Sequence, residues 1–516
     1  MRDTCLDTAE IEMALLRDGR EARAAAGGIN VDMDPDSFRR AGYDAVDRLV
    51  DYYATLGDRP VFPATTPVEL EPLFDAPAPE HGDPVEAILA DFSDKIVPNS
   101  SLQGSPRFFS WVNGGGSQIG ALADFLASGL NANPGGWRAA QAATVIENRT
   151  IRWIADLMGM TPGTTGLFVS GGTMANTAAL QMALRATATW DIVSEGLQSP
   201  NRPKQLTVYM ADHETHISFA KALDLMGLGR TALRKVPSNA DFTIDVAALE
   251  RMLDDDVANG MTPFCIVGHA GSINVGAIDD FTALSRIARA RNLWLHLDGA
   301  CGALGAILPE LREAFRGIEL ADSVSFDGHK WLGVPYECGC VLVRDPGALK
   351  RTFQVTASYL HEDGDDQLEP YDYFDRGPQM SRGFRALKVW MSLRYYGAEG
   401  YREFFRRTID NARYAHELVS SSDEWEVVQP EPELFIYSFR YVGRRQAKGE
   451  GRSAEDLDRI NLAIADEMKR RQVALVMTTR IHGRVTQRLS IANHRTTRED
   501  VRATIEAMAE IGRGLG

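Results

Sequence analysis

From about residue 111 onward, short and continuously apolar segments alternate with longer segments of helical periodicity, and this alternation restricts the fold more than any other feature. The apolar segments predict strands at residues 166–170, 205–210, 264–268, 293–297, 323–326 and 339–343. Strands without polar positions are buried on both faces, which requires helices on both sides of the sheet. The sequence therefore predicts an α/β fold with a mostly parallel sheet, and a helix expected at residues 173–185 fits that order.

Four regions are expected: an N-terminal extension, a helical dimerisation segment, a large domain and a small C-terminal α+β domain. In chain order they are residues 1–32, 33–110, 111–400 and 401–516. Asp34 and Pro35 predict the start of a helix, whereas the proline-rich stretch 60–79 must be extended and covered by another subunit or domain. The acidic stretch 361–380 lacks apolar periodicity, as lids and disordered segments do. A further helix is expected from residue 400.

The charge balance and the cysteines disfavour several classes of protein. The 516 residues carry a formal net charge of −16, which disfavours nucleic acid and anionic membranes as partners. The acidic first residues are not a signal peptide, and no apolar run is long enough for a transmembrane helix. The 5 cysteines are irregularly spaced, which favours a reducing cytoplasm over a disulfide framework. Cys338 and Cys340 predict buried strand thiols and no metal site.

The residues Ser170, Gly171, Gly172 and Thr173 lie between a predicted strand and a predicted helix. Glycines permit a tight turn, and the free N–H groups at the start of a helix bind anions. The two hydroxyl groups add donors, which suits a phosphate monoester. The segment matches neither the dinucleotide nor the nucleoside-triphosphate fingerprint, so both of those classes are disfavoured.

Two predicted strands are followed by ionisable residues. Asp298 ends an apolar strand, where an aspartate is costly to bury unless it is paired, and a protonated pyridine nitrogen would be such a partner. Lys330 follows the strand at 323–326, in apolar surroundings that predict a depressed pKa and suit Schiff-base chemistry. Each feature alone fits a structural role. Their order along the chain, with the glycine turn first and His329-Lys330 last, indicates a pyridoxal 5′-phosphate (PLP) site.

Further motifs are spread over the chain from about Asp34 to the C-terminus. They are residues 36–53, Pro106-Arg107-Phe108-Phe109, Ala270-Gly271-Ser272, residues 276–279, residues 384–390 and residues 489–497. In this order they resemble the group II PLP-dependent amino-acid decarboxylases, the family of aromatic-L-amino-acid decarboxylase and glutamate decarboxylase. The resemblance implies a fold-type I architecture with a seven-stranded sheet, and a homodimer with active sites at the interface.

The resemblance also implies roles for individual residues. Lys330 would hold PLP as a Schiff base, and Asp298 would pair with the ring nitrogen. His216 would stack on one face of the ring and Ala300 would cover the other. Tyr373 matches the loop tyrosine that returns a proton to the substrate carbon. The remaining cofactor contacts would come from Ser170, Gly171, Gly172, Thr173, Asp327 and His329.

Three departures from the family pattern concern the pocket. Asp327 stands where the aromatic enzymes have asparagine near the phosphate, so it is expected to be protonated or turned away from the phosphate. Ile273 removes a hydroxyl near the cofactor. The glycines at 114–116 are expected to open space or to bring the backbone close to the substrate. The residues expected to line the substrate pocket are Phe109, Trp111, Asn113 and Gly114.

Decarboxylation of an L-amino acid to CO₂ and the corresponding amine is the function that the resemblance implies. An aromatic substrate is favoured, because the terminal segments look most like the aromatic branch and because Phe109 and Trp111 suit an aromatic pocket. Core packing is the other interpretation of those two side chains.

Three alternatives stay open. An acidic amino acid as substrate needs a cationic partner that the sequence does not identify. Oxidative deamination to an aldehyde occurs in the family where phenylalanine replaces the loop tyrosine; Tyr373 disfavours it, although Phe374 is adjacent. A catalytically silent interaction protein on the same fold is disfavoured, because the residues for the cofactor are retained together.

Overall fold

A computed structural model describes residues 32–212, 215–355, 371–444 and 452–515. Within them the chain forms two compact units. The first contains residues 32–55 and Thr65–Asn99, and the second contains Leu56–Ala64 and the described residues from Ser100 onward. The N-terminal extension lies almost wholly outside the described residues, and so do the first ten residues of the predicted lid. The domain limits expected from the sequence stay a prediction.

The described part of the first unit contains three α-helices. They are α1 (Pro35–Thr55), α2 (Pro67–Leu70) and α3 (Val85–Asp91). The start of α1 is confirmed, because Asp34 Oδ1 accepts a hydrogen bond from the main-chain N–H of Ser37 (3.0 Å) as a helix N-cap does. The prediction that residues 60–79 are extended is wrong at α2. Thr66 and Glu69 form a capping box there, and a short helix results.

The described part of the second unit contains a seven-stranded sheet. Its strands are β1 (Thr165–Val169), β2 (Leu206–Ala211), β3 (Leu233–Val236), β4 (Thr262–His269), β5 (Trp294–Asp298), β6 (Ser323–Asp327) and β7 (Gly339–Val343). Their order is β1-β7-β6-β5-β4-β2-β3, and β7 runs antiparallel to both neighbours while the other pairs are parallel. The predicted mostly parallel α/β sheet is therefore confirmed.

Eight helices in the described part of this unit stand before, between and after the strands of the sheet in the chain. They are α4 (Gln118–Leu130), α5 (Gln141–Leu157), α6 (Gly172–Thr187), α7 (Ile217–Leu225), α8 (Val246–Ala258), α9 (Phe281–Ala290), α10 (Ala348–Phe353) and α11 (Ala386–Ser420). α6 packs against β5, β6 and β7 through small buried residues such as Ala175 and Ala179. This close packing places the first turn of α6 beside the ends of those strands.

A second, antiparallel sheet forms the small C-terminal α+β part. Its strands are β8 (Trp425–Val427), β9 (Ile436–Tyr441), β10 (Met477–Ile481) and β11 (Arg484–Ser490), in the order β10-β11-β9-β8. Two helices accompany it, α12 (Ala454–Arg470) and α13 (Arg498–Leu515). Apolar residues of the sheet and helices form a separate core that includes Phe439, Met468 and Met508. No described helix has an apolar run long enough to cross a membrane.

Candidate active site

The carboxyl ends of β1, β4, β5 and β6 border a cavity of about 340 Å³. Parallel strands bring their carboxyl ends to the same edge of a sheet, which is where ligands bind in open α/β folds. All the residues predicted to contact the cofactor line this cavity. They are Ser170, Gly171, Gly172, Thr173, His216, Asp298, Ala300, Asp327, His329 and Lys330. Segments far apart in the sequence thus meet at one place.

The glycine turn between β1 and α6 closes one end of the cavity. Gly171 is the N-cap residue of α6, so the first N–H groups of the helix follow it directly. A Cβ atom on Gly172 would lie 2.9 Å from Asp327 Oδ2 and 3.1 Å from Ala300 Cβ, so a larger residue would press on both neighbours. The turn therefore combines tight packing, which favours glycine, with a helix start that can bind an anion.

Asp298 lies buried at the end of β5 and is held by three hydrogen bonds. Its Oδ1 accepts from the main-chain N–H of Ala300 (3.1 Å) and from the Ser325 hydroxyl (3.3 Å). Its Oδ2 accepts from Asn176 Nδ2 (3.3 Å). These contacts fix the orientation of the carboxylate on the wall of the cavity.

The pKa of Asp298 is set by opposing effects. Burial acts to raise this pKa, but the neighbouring His216, His269 and His296 and the Ala300 N–H outweigh burial and lower it. Burial lowers the pKa of His216 and brings that of His296 to about 4, so both rings are neutral at neutral pH. The lowered pKa leaves the carboxylate of Asp298 ionised at neutral pH, so the cavity presents a negative charge at this point.

His216 caps α7 and is held in one orientation by Ser218. Its Nδ1 accepts a hydrogen bond from the main-chain N–H of Ser218 (3.2 Å) and lies 2.8 Å from the Ser218 hydroxyl oxygen. Ala300, the other predicted neighbour of the cofactor ring, lines the same cavity. Both residues therefore line the same cavity, and their roles beside a cofactor ring stay a prediction.

Lys330 is partly buried and forms an ion pair with Asp327, with Nζ 2.9 Å from Oδ2. The prediction of a depressed pKa for Lys330 is wrong. Burial lowers this pKa, but Cys301 and the carboxylates of Asp327 and Asp298 outweigh burial and raise it. The lysine is therefore an ammonium at neutral pH, and it must lose a proton before its nitrogen can attack a carbonyl carbon.

His329 lies beside the same carboxylate. Its Nδ1 accepts a hydrogen bond from the main-chain N–H of Cys338 (3.1 Å), and its Nε2 is 3.7 Å from Asp327 Oδ2. Burial lowers the pKa of His329, so the ring is neutral and its proton is on Nε2. The Tyr336 ring covers the imidazole, with the ring centroids 4.3 Å apart. His329 thus presents an N–H donor to the cavity.

The structure adds residues to the cavity that the sequence interpretation missed. They include Asn176, His269, Cys301 and Glu337. His269 ends β4 as Asp298 ends β5, and the two are paired in strand register. Its Nδ1 lies 3.3 Å from Asp279 Oδ2, and both side chains are buried. Its position at a strand end was the signal that could have identified it.

Tyr373 does not line this cavity. It begins the short 3₁₀ helix Tyr373–Arg376 and is 1% exposed. The guanidinium carbons of Arg382 and Arg376 lie 4.8 Å and 5.4 Å from the centre of its ring. Burial raises the pKa of its hydroxyl well above the ordinary value. The structure therefore places this phenol away from the cavity of its own chain.

The four residues expected in the substrate pocket lie outside the cavity lining as well. Phe109 is fully buried in the C-terminal core, and Trp111 is 48% exposed. Asn113 Oδ1 accepts a hydrogen bond from the Tyr336 hydroxyl. The N–H of Gly114 donates to His329 O (3.1 Å), and a Cβ atom there would lie 2.1 Å from Lys330 O. Gly114 thus lets the backbone approach the lysine segment.

Comparisons with known proteins agree with this geometry. The family model described as the pyridoxal-dependent decarboxylase conserved domain matches residues 67–442. An aromatic-L-amino-acid decarboxylase of Bacillus atrophaeus is 33% identical over 485 residues, covering 93% of this chain and 97% of that protein. A phenylacetaldehyde synthase of Petunia hybrida is 33% identical over 402 residues, covering 77% of this chain and 79% of that protein. A crystal structure of Oryza sativa TDC with PLP and tryptamine matches with a TM-score of 0.87 at 27% identity, covering 94% of this chain and 99% of that one.

Proposed function

Because this chain belongs to the family of pyridoxal-dependent decarboxylases, we propose that it decarboxylates an aromatic L-amino acid and releases CO₂ and the corresponding amine. The observation that carries the proposal is the meeting of Lys330, Asp298, His216 and the glycine turn in one cavity. The Bacillus atrophaeus relative and the tryptamine in the Oryza sativa structure support an aromatic substrate.

The residues present fit the cofactor. Bound PLP supplies an electron-accepting ring that stabilises the negative charge left when CO₂ departs. The turn at 170–173 would bind the phosphate, and Asp298 would pair with the ring nitrogen. His216 and Ala300 would flank the ring, and Lys330 would hold the cofactor covalently and be displaced by the substrate amine. The buried Asp327 Oδ1 has no hydrogen-bond partner among the described residues, so a polar group of this cavity is left for a ligand to bond.

Product analysis tests the proposal. The purified protein is supplied with PLP and incubated separately with L-tryptophan, L-tyrosine, L-phenylalanine and L-glutamate, and CO₂ and amine are measured. We expect equal amounts of CO₂ and amine from at least one aromatic amino acid. Activity should be lost in Lys330→Ala and kept in Lys235→Ala, a change at an exposed lysine on the edge strand β3. CO₂ from glutamate alone would contradict the aromatic assignment.

We further propose that the protein is a homodimer with active sites at the interface. The observation that supports a second copy is α1, which buries none of its residues and leaves Phe38 57% and Tyr43 67% exposed. An uncovered apolar stripe on a helix needs a partner surface.

Sedimentation equilibrium and amine assays over a dilution series test this arrangement. We expect the mass of two chains, and amine formation per chain that falls where the dimer dissociates. A monomer that is fully active would contradict the proposal.

Aldehyde formation is a second candidate, favoured by the position of Tyr373. A phenol outside the cavity cannot return a proton to the substrate carbon there, and the Petunia hybrida relative is a phenylacetaldehyde synthase. In that case CO₂ would appear with aldehyde and ammonia, and the amine would be absent. Measuring aldehyde and amine in the same reaction decides between the two outcomes.

An acidic substrate is disfavoured by the charges near the cavity. Glu337 lines the active-site cavity and also a neighbouring cavity of about 700 Å³ that contains Arg385 and Lys388. Both cations already pair with carboxylates, Arg385 with Glu337 (2.6 Å) and Lys388 with Asp124 (2.9 Å).

A cytoplasmic location, expected from the cysteines, stays a prediction that cell fractionation would test.

A further inference from the structure

Asp327 is a buried group of the cavity whose role the proposed chemistry leaves undefined. It ends β6, is 3% exposed, and pairs through Oδ2 with Lys330 Nζ at 2.9 Å. Its Oδ1 is buried and has no hydrogen-bond partner within the described residues. A buried oxygen without a partner is costly, and a ligand that bonds to it removes the cost.

The carboxyl group of Asp327 lies directly against the glycine turn. A Cβ atom on Gly172 would lie 2.9 Å from Oδ2 and 3.4 Å from Oδ1, and one on Gly339 would lie 2.9 Å from Oδ1. Both oxygens therefore border the first turn of α6, where an anion binds most favourably. A phosphate held by the turn would be a close neighbour of this carboxyl group.

Few positive charges lie around Asp327 to balance a second negative charge, such as that of a phosphate. The titratable groups that face it are Lys330 and His329 next to β6, Asp298 and Cys301 at β5, His216 after β2, and Tyr336 and Cys338 before β7. Burial lowers the pKa of both histidines and raises the pKa of the phenol and of both thiols, so these groups are neutral. Lys330 is the cation of this set, and Asp298 is a further anion.

A phosphate monoester brings a charge of about −1.5 to −2 at neutral pH. An ionised Asp327 at hydrogen-bond distance from it would be strongly repelled, because like charges in a buried site are poorly screened. A neutral carboxylic acid in the same position has an O–H donor and no charge. It would then resemble the carboxamide of an asparagine in shape and in donor capacity.

We propose that Asp327 binds the cofactor phosphate as a neutral carboxylic acid and donates a hydrogen bond from Oδ1 to a phosphate oxygen. Loading of the cofactor then takes up one proton at this carboxyl, and no covalent bond to Asp327 forms or breaks. His329 adds a second donor, since its neutral ring carries the proton on Nε2. The proposal deepens the proposed function and rests on residues 170–173 holding the phosphate.

Cofactor titrations of the apoprotein at several pH values test this assignment. Wild type, Asp327→Asn and the control Asp345→Asn, an exposed site on the loop after β7, are titrated with PLP and with pyridoxal, which lacks the phosphate. The dissociation constant of pyridoxal divided by that of PLP measures what the phosphate contributes to binding. If loading of PLP takes up one additional proton, PLP binds more weakly as pH rises, and this ratio falls by up to about tenfold per pH unit. We expect that dependence in wild type and Asp345→Asn, and its loss in Asp327→Asn, which should bind PLP at least as tightly.

Equal pH dependence of the ratio in wild type and Asp327→Asn would overturn the proposal. If Asp327→Asn does not fold, the infrared difference spectrum of wild type, PLP-loaded minus apo, decides the matter. A new carboxylic-acid band that pyridoxal does not produce supports the proposal, and its absence overturns it. Ser170→Ala separates this result from the proposed function: if the turn does not hold the phosphate, that variant leaves the ratio unchanged.

Discussion

The carboxyl edge of the main sheet and the segment at 371–385 hold their predicted catalytic residues in different ways. At the sheet edge, main-chain register places Asp298 beside His269 on one side and Ser325 on the other. In the segment, side-chain contacts place Tyr373 against Arg382, outside the cavity. Residues at strand ends are therefore positioned by the backbone, whereas a residue on a connecting segment is positioned by whatever anchors that segment.

The anchor of the 371–385 segment is a buried ion pair behind β1. Arg382 binds both carboxylate oxygens of Glu147, at 2.5 Å and 3.1 Å, and both side chains are buried. The same guanidinium donates to Phe168 O (2.8 Å) and Pro134 O (2.9 Å). If the comparison holds, changes at the sheet edge should remove chemistry without unfolding the protein, and changes at the anchor should do the reverse.

The largest effect is expected for Asp298→Asn. The amide keeps the shape of the side chain but removes the charge that pairs with the ring nitrogen, so kcat should fall about 10²- to 10³-fold. Thermal unfolding should remain cooperative, since the surrounding core is unchanged. Activity assays and calorimetry on the same preparation measure both properties, with Asp345→Asn as the control. Near-normal turnover would show that Asp298 is not the partner of the ring.

A smaller effect, on stability, is expected for Glu147→Gln. The change leaves the buried Arg382 charge without its partner, which should lower the free energy of unfolding by about 3–5 kcal/mol. Denaturant titration measures this. Asp36→Asn, which breaks the exposed pair with Arg39, should cost less than about 1 kcal/mol. A loss of cofactor binding without a loss of stability in Glu147→Gln would contradict the proposed division between the two regions.

The smallest effect is the pH dependence of stability that Asp298 contributes. Its pKa is lowered in the folded protein, so the stability it contributes is complete above the ordinary value of about 3.9 and is lost as pH falls through the lowered value. Between about pH 5 and pH 8, wild type and Asp298→Asn should therefore show parallel stability curves in denaturant titrations. A divergence inside that range would mean that the carboxyl titrates there.

The main sheet was predictable because its strands are buried on both faces. The predicted strands for β1, β2, β4, β5, β6 and β7 agree with the structure to within two residues at each end. β3 was missed because it is an edge strand whose Arg234 and Lys235 interrupt the apolar pattern. α11 is interrupted at Gly397, whose φ of 67° and ψ of 171° are not helical, so the helix expected from residue 400 corresponds to the part of α11 that follows this kink.

The candidate site was predictable where chemistry and strand ends coincide. Asp298 and Lys330 each follow an apolar strand, and the sheet brings the strand ends together. The raised pKa of Lys330 was not predictable, because it depends on the spatial proximity of Asp327 and Cys301. Phe109 could not be assigned from composition either, since its burial depends on how the C-terminal sheet packs over it.

Reductive trapping of the cofactor tests the central claim most directly. The PLP-loaded protein is treated with borohydride, digested, and searched by mass spectrometry for lysines that carry a pyridoxyl group. A single adduct on Lys330, absent from Lys330→Ala, is the predicted result. An adduct on another lysine such as Lys388, or a protein that binds PLP without any adduct, would contradict the assignment of this cavity as the active site.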